Sequence, residues 1–453
     1  MALLARSNSL RATRRRRVQA PTVSSLIVRE LRPLYSRSVI FVCFLSIGGT
    51  TAHAQSSDAK PVAAPAGQSA AEREKSARET PRFQWKEHPT WQLWPGAWVE
   101  LRARFQHDVR ASDGTTGDGR PADAARRRIG IAGALTDRLD FQVERELTGD
   151  DPWRDVYANY RLFEGLEAQA GKFKLPFSFD ENTSASSLDF VYRSMAAEAL
   201  APGRDRGVMA HGRWWHRTIR YELGLFQHEG RNARSGNPHR VFGGQTVAGR
   251  VTLRPFRPRK GVLRSLEGSV AITRSGLGEG LSSLRGDTVL GDRFYTANVF
   301  ANGSRERFGF ELRWEPGPLS MKCEYMRLAD QRLGQSVEDT DLLPLVATGW
   351  YVSGLWTVLK RDKSWHGGLE LAARIEGLSF GSASLDSRAS LSPRADIVLG
   401  NRNTALTWGA NWSLKRWIRI QANLIREVSD SPREGSTSLG PVWSRALRFQ
   451  VVL

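Results

Sequence analysis

From Trp94 onward, apolar and polar residues alternate along the chain with a period of two. In residues 99–106, Val, Leu, Ala and Phe occupy one parity, and Glu, Arg and Gln occupy the other. The same alternation recurs at 139–144, 219–225, 247–254, 308–314, 369–375 and 406–414. Since successive side chains of a strand point to opposite faces, the pattern predicts strands with one apolar face and one polar face.

The spacing of these segments predicts about sixteen strands, an even number that can enclose an aqueous channel. Tight turns such as Thr136-Asp137 and Pro316-Gly317 alternate with longer connections. Residues 294–300 are also strand-like, but counting them would give an odd number, so we assign them to a loop. We place the strands near 97–108, 124–134, 138–148, 154–163, 166–175, 207–216, 218–227, 245–254, 265–274, 305–315, 318–328, 348–358, 367–376, 403–414, 416–427 and 442–453. The last strand ends at the carboxyl terminus, as closure against the first strand requires.

A soluble β-sandwich alternates in the same way, but three features favour an all-β transmembrane antiparallel barrel over 94–453. The strands are about ten residues long, which suits a tilted bilayer crossing. Many of the 15 Trp residues, including Trp214, Trp215 and Trp417, lie near strand ends, as in aromatic girdles. Short and long connections alternate. The long connection after the fifth strand, 176–206, is expected to fold inward as the third extracellular loop and narrow the pore.

The first 54 residues have the pattern of a secretory signal peptide. They contain nine Arg and one acidic residue, then an apolar run at 39–47 and the small-residue site Ala52-His53-Ala54. A nucleic-acid-binding arm at 14–17 is the alternative, but the apolar run favours export and we expect no nucleic-acid partner. Cleavage would leave Cys323 alone, which excludes an internal disulfide. Residues 55–93 are predicted to be a flexible periplasmic leader because they are rich in Ala, Pro, Ser, Lys and Glu.

Three segments carry a resemblance to a known family. They are Arg-Arg-Arg-Ile-Gly at 126–130, Gly-Lys-Phe-Lys-Leu-Pro-Phe-Ser at 171–178 and Leu-Ala-Pro-Gly-Arg-Asp-Arg-Gly-Val at 200–208. In this order and spacing the chain resembles the phosphate-selective porins of the O and P type. The resemblance implies a sixteen-stranded, usually trimeric anion channel in which inward Arg ladders and a Lys/Arg cluster at the third loop bind phosphate or polyphosphate. The chain departs from the family in ending with Leu453 and in carrying acidic residues in the third loop.

The candidate anion-binding residues are basic side chains of the polar face and of the third loop. An anion in a narrow lumen loses hydration, which guanidinium or ammonium groups must replace. Lys172 and Lys174 share parity with apolar residues, so a bulge at Gly171 or inward folding of the loop is needed to bring them to the pore. The candidates are Arg102, Arg104, Arg126, Arg128, Lys172, Lys174, Arg193, Arg204, Arg206, Arg220, Arg250, Arg254 and Arg374.

Each candidate also has a structural alternative. Inward Arg residues beside acids, such as Arg102 near Glu100, can form a neutral ion-pair lattice that stiffens the wall. Arg204 and Arg206 can tie the loop to the wall, and Lys172 and Lys174 can contact lipopolysaccharide phosphates. Only the collective excess of positive charge argues for anion selectivity, and +11 of the +19 for the whole chain remains once the predicted signal peptide, which carries +8, is removed.

The sequence therefore predicts an outer-membrane porin that passes small anions by passive diffusion, with phosphate or polyphosphate favoured. We expect outer-membrane lipid and lipopolysaccharide as its surroundings, a homotrimer and no cofactor. Catalysis has little support, since the eight His residues form no HExxH or Cys/His metal pattern. The alternatives are a general or sugar-permeable porin, or a non-conducting structural or adhesive barrel.

Overall fold

The computed structural model describes most of the chain after residue 82. The predicted signal peptide at 1–54 and most of the predicted leader at 55–93 lie outside the described residues. The described ranges are 83–85, 88–113, 122–149, 152–230, 240–241, 243–360, 367–382, 392–415, 417–430 and 441–453.

The alternating segments form the wall of a closed antiparallel barrel of sixteen strands, which confirms the predicted fold and strand number. Each strand pairs with its sequence neighbour, and the last strand pairs with the first, from Ser444 opposite Ser112 to Val452 opposite Arg104. The wall strands are β3 (Ala97–Ser112), β4 (Ala122–Thr136), β5 (Leu139–Glu146), β6 (Trp153–Phe163), β7 (Leu166–Lys174), β8 (Arg204–Trp214), β9 (Ile219–Phe226), β11 (Gly243–Leu253), β12 (Glu267–Ser282), β15 (Phe300–Trp314), β16 (Leu319–Arg332), β17 (Leu342–Leu359), β18 (Gly368–Ser382), β19 (Asn401–Lys415), β20 (Ile418–Asp430) and β21 (Val442–Val452).

The two faces of the wall differ in the way that a membrane barrel requires. On β11, the apolar side chains of Val247 and Val251 are 51% and 47% exposed, whereas Arg250 and Thr252 are buried at 8% and 4%. Apolar side chains therefore cover the outside and polar side chains line the inner face, the reverse of a soluble barrel. Closure pairs the strands all round, so no edge of the wall is left open to lipid.

Short and long connections alternate along the wall. Residues 137–138 and 164–165 are two-residue turns, and Gly165 takes the positive φ of 95° that such a turn needs. The connections 175–203 and 283–299 are long. Within the second of these, β13 (Arg285–Asp287) and β14 (Arg293–Thr296) form a separate two-stranded sheet. The segment near 294–300 is thus outside the wall until β15 begins at Phe300, as the loop assignment predicted.

An amino-terminal hairpin extends the seam of the barrel. It consists of β1 (Phe83–Trp85) and β2 (Pro89–Trp94), and β2 pairs with the start of β3, with Trp91 opposite Val99. The last part of the predicted flexible leader is therefore ordered as strand. The physical reason is local: Trp91 and Leu93 alternate with polar neighbours, and Gly96 turns the chain with a φ of 84°.

The remaining short elements lie between wall strands. The connection 175–203 contains the helices α1 (Phe179–Asn182) and α2 (Met195–Leu200), with a 3-10 turn at Ala185–Ser187 between them. A second 3-10 turn, Val262–Ser265, precedes β12, and β10 (Arg240–Val241) pairs in parallel with β12. None of the helices in the described ranges is long and apolar enough to cross a membrane.

An apolar cluster joins the two long connections to the inner face. From 175–203 it takes Phe177, Met195 and Leu200, and from 283–299 it takes Leu284 and Tyr295, all at most 5% exposed. These side chains pack on wall residues of β16, β17 and β18, which are Met326, Leu328, Leu345, Ala347, Leu378 and Phe380. Burying this apolar surface stabilises the contact between the loops and that side of the wall.

Candidate functional site

A polar cavity of about 960 Å³ lies between the inner face of β3–β9 and the connection 175–203. Of the described residues, ten basic and six acidic side chains line it, an excess of four positive charges. The basic residues are Arg102, Arg104, Arg126, Arg128, Arg154, Lys174, Arg193, Arg204, Arg220 and Arg285, and the acidic residues are Glu144, Glu146, Asp155, Glu181, Glu198 and Glu222. Eight of the thirteen basic residues selected from the sequence are in this lining.

The Arg residues of β3 and β4 form the centre of the basic lining. Arg104 lies opposite Arg128 in the strand register, and Arg126 lies opposite Gln106. Arg128 is neutralised, because its guanidinium donates to Glu146 at 2.6 Å and to Glu144 at 2.9 Å. Of the three Arg residues at 126–128, Arg126 and Arg128 thus point to the inner face, and Arg128 is the neutralised one. Arg127, between them, is exposed.

Within the described ranges, Arg104 and Arg126 make hydrogen bonds to neutral groups only. Arg126 donates to the Gln106 Oε1 at 2.9 Å, and Arg104 donates to the Ser184 Oγ at 3.2 Å. Among the described residues, neither guanidinium has a carboxylate oxygen within 4.0 Å. Their charges are therefore available to a solute in the cavity.

Other lining Arg residues belong to ion pairs with the wall. Arg204 donates two hydrogen bonds to Asp155, at 3.0 and 2.8 Å, in a bidentate arrangement. Arg102 donates to Glu100 at 2.6 Å, and Arg220 donates to Glu222 at 2.7 Å. These three pairs are an ion-pair lattice along the wall, and they add little net charge to the cavity.

The connection 175–203 adds a second charged group to the cavity. The Arg193 Nε lies 3.2 Å from the Glu181 Oε2, and the Lys174 Nζ lies 3.7 Å from the Glu181 Oε1. Burial opposes ionisation of Glu181, but the nearby Arg193 and Lys174 outweigh it and hold the pKa of that carboxyl below its usual value. Glu181 is therefore ionised and neutralised in place at neutral pH.

Glu198, on α2, differs from the other lining acids. Its side chain opens into the cavity, and its carboxylate has no hydrogen bond or ion pair within the described part of the chain. Enclosure by the wall and loop raises the pKa of Glu198, and the neighbouring Glu181 adds to the rise, while Arg193 and Arg126 oppose it. As far as the described residues show, Glu198 is thus a carboxylate without an ion-pair partner inside a basic cavity.

Hydrogen bonds to the inner face hold the helices in position. The Ser178 Oγ and the Asp180 backbone N–H donate to Glu324, at 2.8 and 2.5 Å. The Met195 backbone N–H donates to Glu376 at 2.6 Å. At Gly349, an added Cβ would lie 2.7 Å from the Ala196 Cβ, so glycine lets α2 lie directly on β17.

Comparison with known proteins identifies the family. Residues 99–437 match the family described as phosphate-selective porin O and P. The chain belongs to this family. No curated protein sequence matches the chain. The family and the barrel together make it a channel of the bacterial outer membrane rather than an enzyme.

Solved outer-membrane barrels share the fold of this porin at low sequence identity. The anion-selective porin from Comamonas acidovorans is 12% identical, with a TM-score of 0.51, over 79% of this chain and 100% of that chain. The outer membrane channel DcaP of Acinetobacter baumannii is 11% identical, with a TM-score of 0.52, over 80% and 99%. OmpT of Vibrio cholerae is 12% identical, with a TM-score of 0.50, over 79% and 98%.

Five of the sequence-selected residues of this porin lie outside the cavity lining. Lys172 lies opposite Arg206 in the register, at the parity of the exposed Ala168 and Ala170. Arg250 is buried between Glu311 and Glu222. Arg254 follows the end of β11.

Like Arg250, two more of these five are held by ion pairs. Arg254 pairs with Glu267 at 2.6 Å. Arg374 pairs with Glu376 at 2.8 Å and donates to the Tyr192 carbonyl oxygen at 3.1 Å. Arg374 therefore anchors the loop to β18 of the porin.

Two basic residues of the lining were missed from the sequence. Arg154 has the outward parity of β6, like the neighbouring Val156, and Arg285 lies in the connection 283–299. Arg154, Lys174 and Arg204 all lie at strand ends, where parity no longer determines direction. Lys174 and Arg204 flank the long connection 175–203, whereas Arg154 follows a six-residue connection, so position at a strand end is the signal that the three share. Among the described residues of this porin, no group of three or more His, Cys, Asp and Glu could hold a metal ion.

Proposed function

We propose that this porin passes small anions by passive diffusion, with phosphate or polyphosphate as the favoured solute. The observation that carries the proposal is the cavity lining, in which ten basic side chains face six acidic ones and two guanidiniums have no carboxylate partner among the described residues. Arg suits phosphate because its planar fork donates two parallel hydrogen bonds, whereas Lys acts as a point charge.

The connection 175–203 is the proposed constriction, folded into the lumen. Its hydrogen bonds to Glu324 and Glu376, on strands far from β7 and β8 in the wall, support this arrangement. The loop brings Arg193 and Glu198 to the same cavity as the Arg residues of β3 and β4. A solute would exchange part of its hydration for these groups at the narrowest point.

Export and assembly follow from the same proposal. The signal peptide at 1–54 would direct the chain out of the cytoplasm, and the remaining leader would lie in the periplasm. We propose a homotrimer surrounded by outer-membrane lipid and lipopolysaccharide. Support for the trimer comes from a related fold, since one structure of OmpT from Vibrio cholerae is described as a trimer form.

A planar-bilayer recording tests the proposed function. Chloride current through single channels is measured while phosphate is added in steps, and we expect a saturable reduction of that current. If phosphate adds to the current without reducing it, the protein is a general or sugar-permeable porin. If folded protein produces no conductance, it is a structural or adhesive barrel.

A further inference from the structure

Among the charged groups that line the cavity, three have no oppositely charged partner within 4.0 Å in the described ranges. They are Arg104, Arg126 and Glu198. Every other lining charge belongs to an ion pair, from Arg102 with Glu100 to Arg285 with Asp287. Two free guanidiniums are expected in an anion cavity, whereas a free carboxylate repels every anion that enters. Attraction between the cavity and an anion therefore cannot explain why Glu198 lies in the lining.

Building on the proposed anion channel, we propose that Glu198 selects phosphate over sulfate by accepting a hydrogen bond from a P–O–H group of an anion held by Arg104 and Arg126. Near neutral pH, phosphate is a mixture of H2PO4⁻ and HPO4²⁻, and both forms carry at least one hydroxyl donor. Sulfate is present as SO4²⁻ and carries none. An ionised carboxylate can only accept hydrogen bonds, so it stabilises either form of phosphate and repels sulfate.

The charges of the three groups fit this solute. Two guanidiniums and one carboxylate leave one positive charge for the anion to neutralise. Each guanidinium can donate to phosphate oxygens, while Glu198 takes the proton-bearing oxygen. With sulfate in the same place, a sulfate oxygen would face a carboxylate oxygen. No hydrogen bond could form between these two acceptors, so nothing would offset the cost of bringing them together.

The backbone beneath Glu198 is fixed, as discrimination requires. The Ser194 Oγ caps α2 by accepting from the Ala197 N–H at 3.2 Å, and the Met195 N–H donates to Glu376. Ala196 and Ala197 are fully buried against the wall. The carboxylate is therefore held at one height in the cavity and cannot withdraw with a mobile loop.

Acidification should weaken the selection of phosphate over sulfate. The charged groups around Glu198 are Glu181 and Asp180 on α1, Arg193 before α2, and Arg126 on β4. Because the pKa of Glu198 is raised, its carboxylate becomes neutral at a higher pH than that of an ordinary Glu. The neutral acid can donate a hydrogen bond, so sulfate becomes acceptable as pH falls through that pKa, whereas phosphate gains less.

The test compares phosphate and sulfate as blockers of chloride current through the full-length porin in planar bilayers, at neutral pH and at about pH 5. In the wild type at neutral pH, the sulfate concentration that blocks half of the chloride current should be about tenfold higher than the phosphate concentration that does so. This ratio is equivalent to about 1.4 kcal/mol. In Glu198→Gln the two concentrations should converge, mainly because sulfate blocks better. The wild type at the lower pH should shift toward the ratio of the variant, because the raised pKa leaves Glu198 more often neutral there than an ordinary Glu. This second arm needs no substitution, and the unit conductance in KCl checks the folding of the variant.

Glu144→Gln is the matched control. Glu144 lines the same cavity but pairs with Arg128, so its removal should strengthen block by both anions and leave their ratio unchanged. The inference is overturned if wild type and Glu198→Gln show the same phosphate-to-sulfate ratio, or if Glu144→Gln changes the ratio equally. If neither anion blocks the wild-type channel, it is the proposed function that fails.

Discussion

At the scale of single residues, the direction of a side chain decides which Arg can bind a solute. Arg126 and Arg127 are adjacent on β4, but Arg126 lines the cavity and Arg127 is exposed on the outer side. A charge-assisted hydrogen bond contributes about 1.5–3 kcal/mol. We therefore expect Arg126→Gln to weaken phosphate block of chloride current about ten- to hundredfold.

Arg127→Gln is the control, because it removes the same charge from the same strand on the opposite face. Its phosphate block should stay within about twofold of the wild type, since the wall separates the Arg127 side chain from the cavity and charge interactions weaken with distance. Titration of single-channel current with phosphate measures both variants. Equal weakening in the two would show that net charge of the protein, and not contact in the cavity, controls block.

Alternation along the sequence predicted the inner face in the middle of strands but not at their ends. Arg102, Arg104, Arg126 and Arg128 lie where parity placed them. Lys174 reaches the cavity although it shares parity with Lys172, because β7 ends there and the chain leaves the wall. Nor can alternation show which Arg is neutralised. Arg128 and Arg126 look alike in the sequence, and only the register against β5 gives two Glu partners to the first.

At the scale of elements, a buried charge cluster joins β15, β16 and the connection after β9. Arg305 donates to Asp330 at 2.5 and 2.6 Å and to Glu229 at 2.5 Å, and all three side chains are 0% exposed. Removing one member of a buried ion pair leaves an uncompensated charge, which costs about 3–5 kcal/mol. Asp330→Ala should lower the free energy of unfolding by that amount, measured by urea unfolding in lipid vesicles.

An exposed pair between β15 and its other neighbour, β12, gives the comparison. Glu306 lies 3.5 Å from Arg274, and their side chains are 52% and 70% exposed. Glu306→Ala should therefore change the free energy of unfolding by less than about 1 kcal/mol. If both substitutions lowered the free energy of unfolding equally, burial would not explain how much the Arg305 cluster contributes to stability.

The strands were predictable from the sequence, but the contacts of the long connections were not. Period two marks an element that has two different environments on its faces, which holds for every wall strand. Phe177, Met195 and Leu200 have no such period, and their burial depends on loop residues and wall strands distant in sequence. The hairpin β1–β2 was not predicted, because residues 55–82, which precede the hairpin, dominate the composition of 55–93.

At the scale of the whole molecule, positive charge is concentrated where a solute must pass. Counted over the part of the chain that the structure describes, the cavity lining has an excess of four positive charges, and most of its acidic groups are already neutralised by Arg or Lys neighbours. Fixed charge of one sign in a narrow polar passage raises the local concentration of ions of the opposite sign. The channel as a whole should therefore prefer anions even without phosphate.

The zero-current potential across a planar bilayer with a KCl gradient tests this preference most directly. Chloride and potassium diffuse almost equally fast in water, so the sign of the potential reports the selectivity of the channel. We predict the sign for an anion-selective channel, and a smaller magnitude at high salt because of screening. A potential of the opposite sign, showing preference for potassium, would contradict the account.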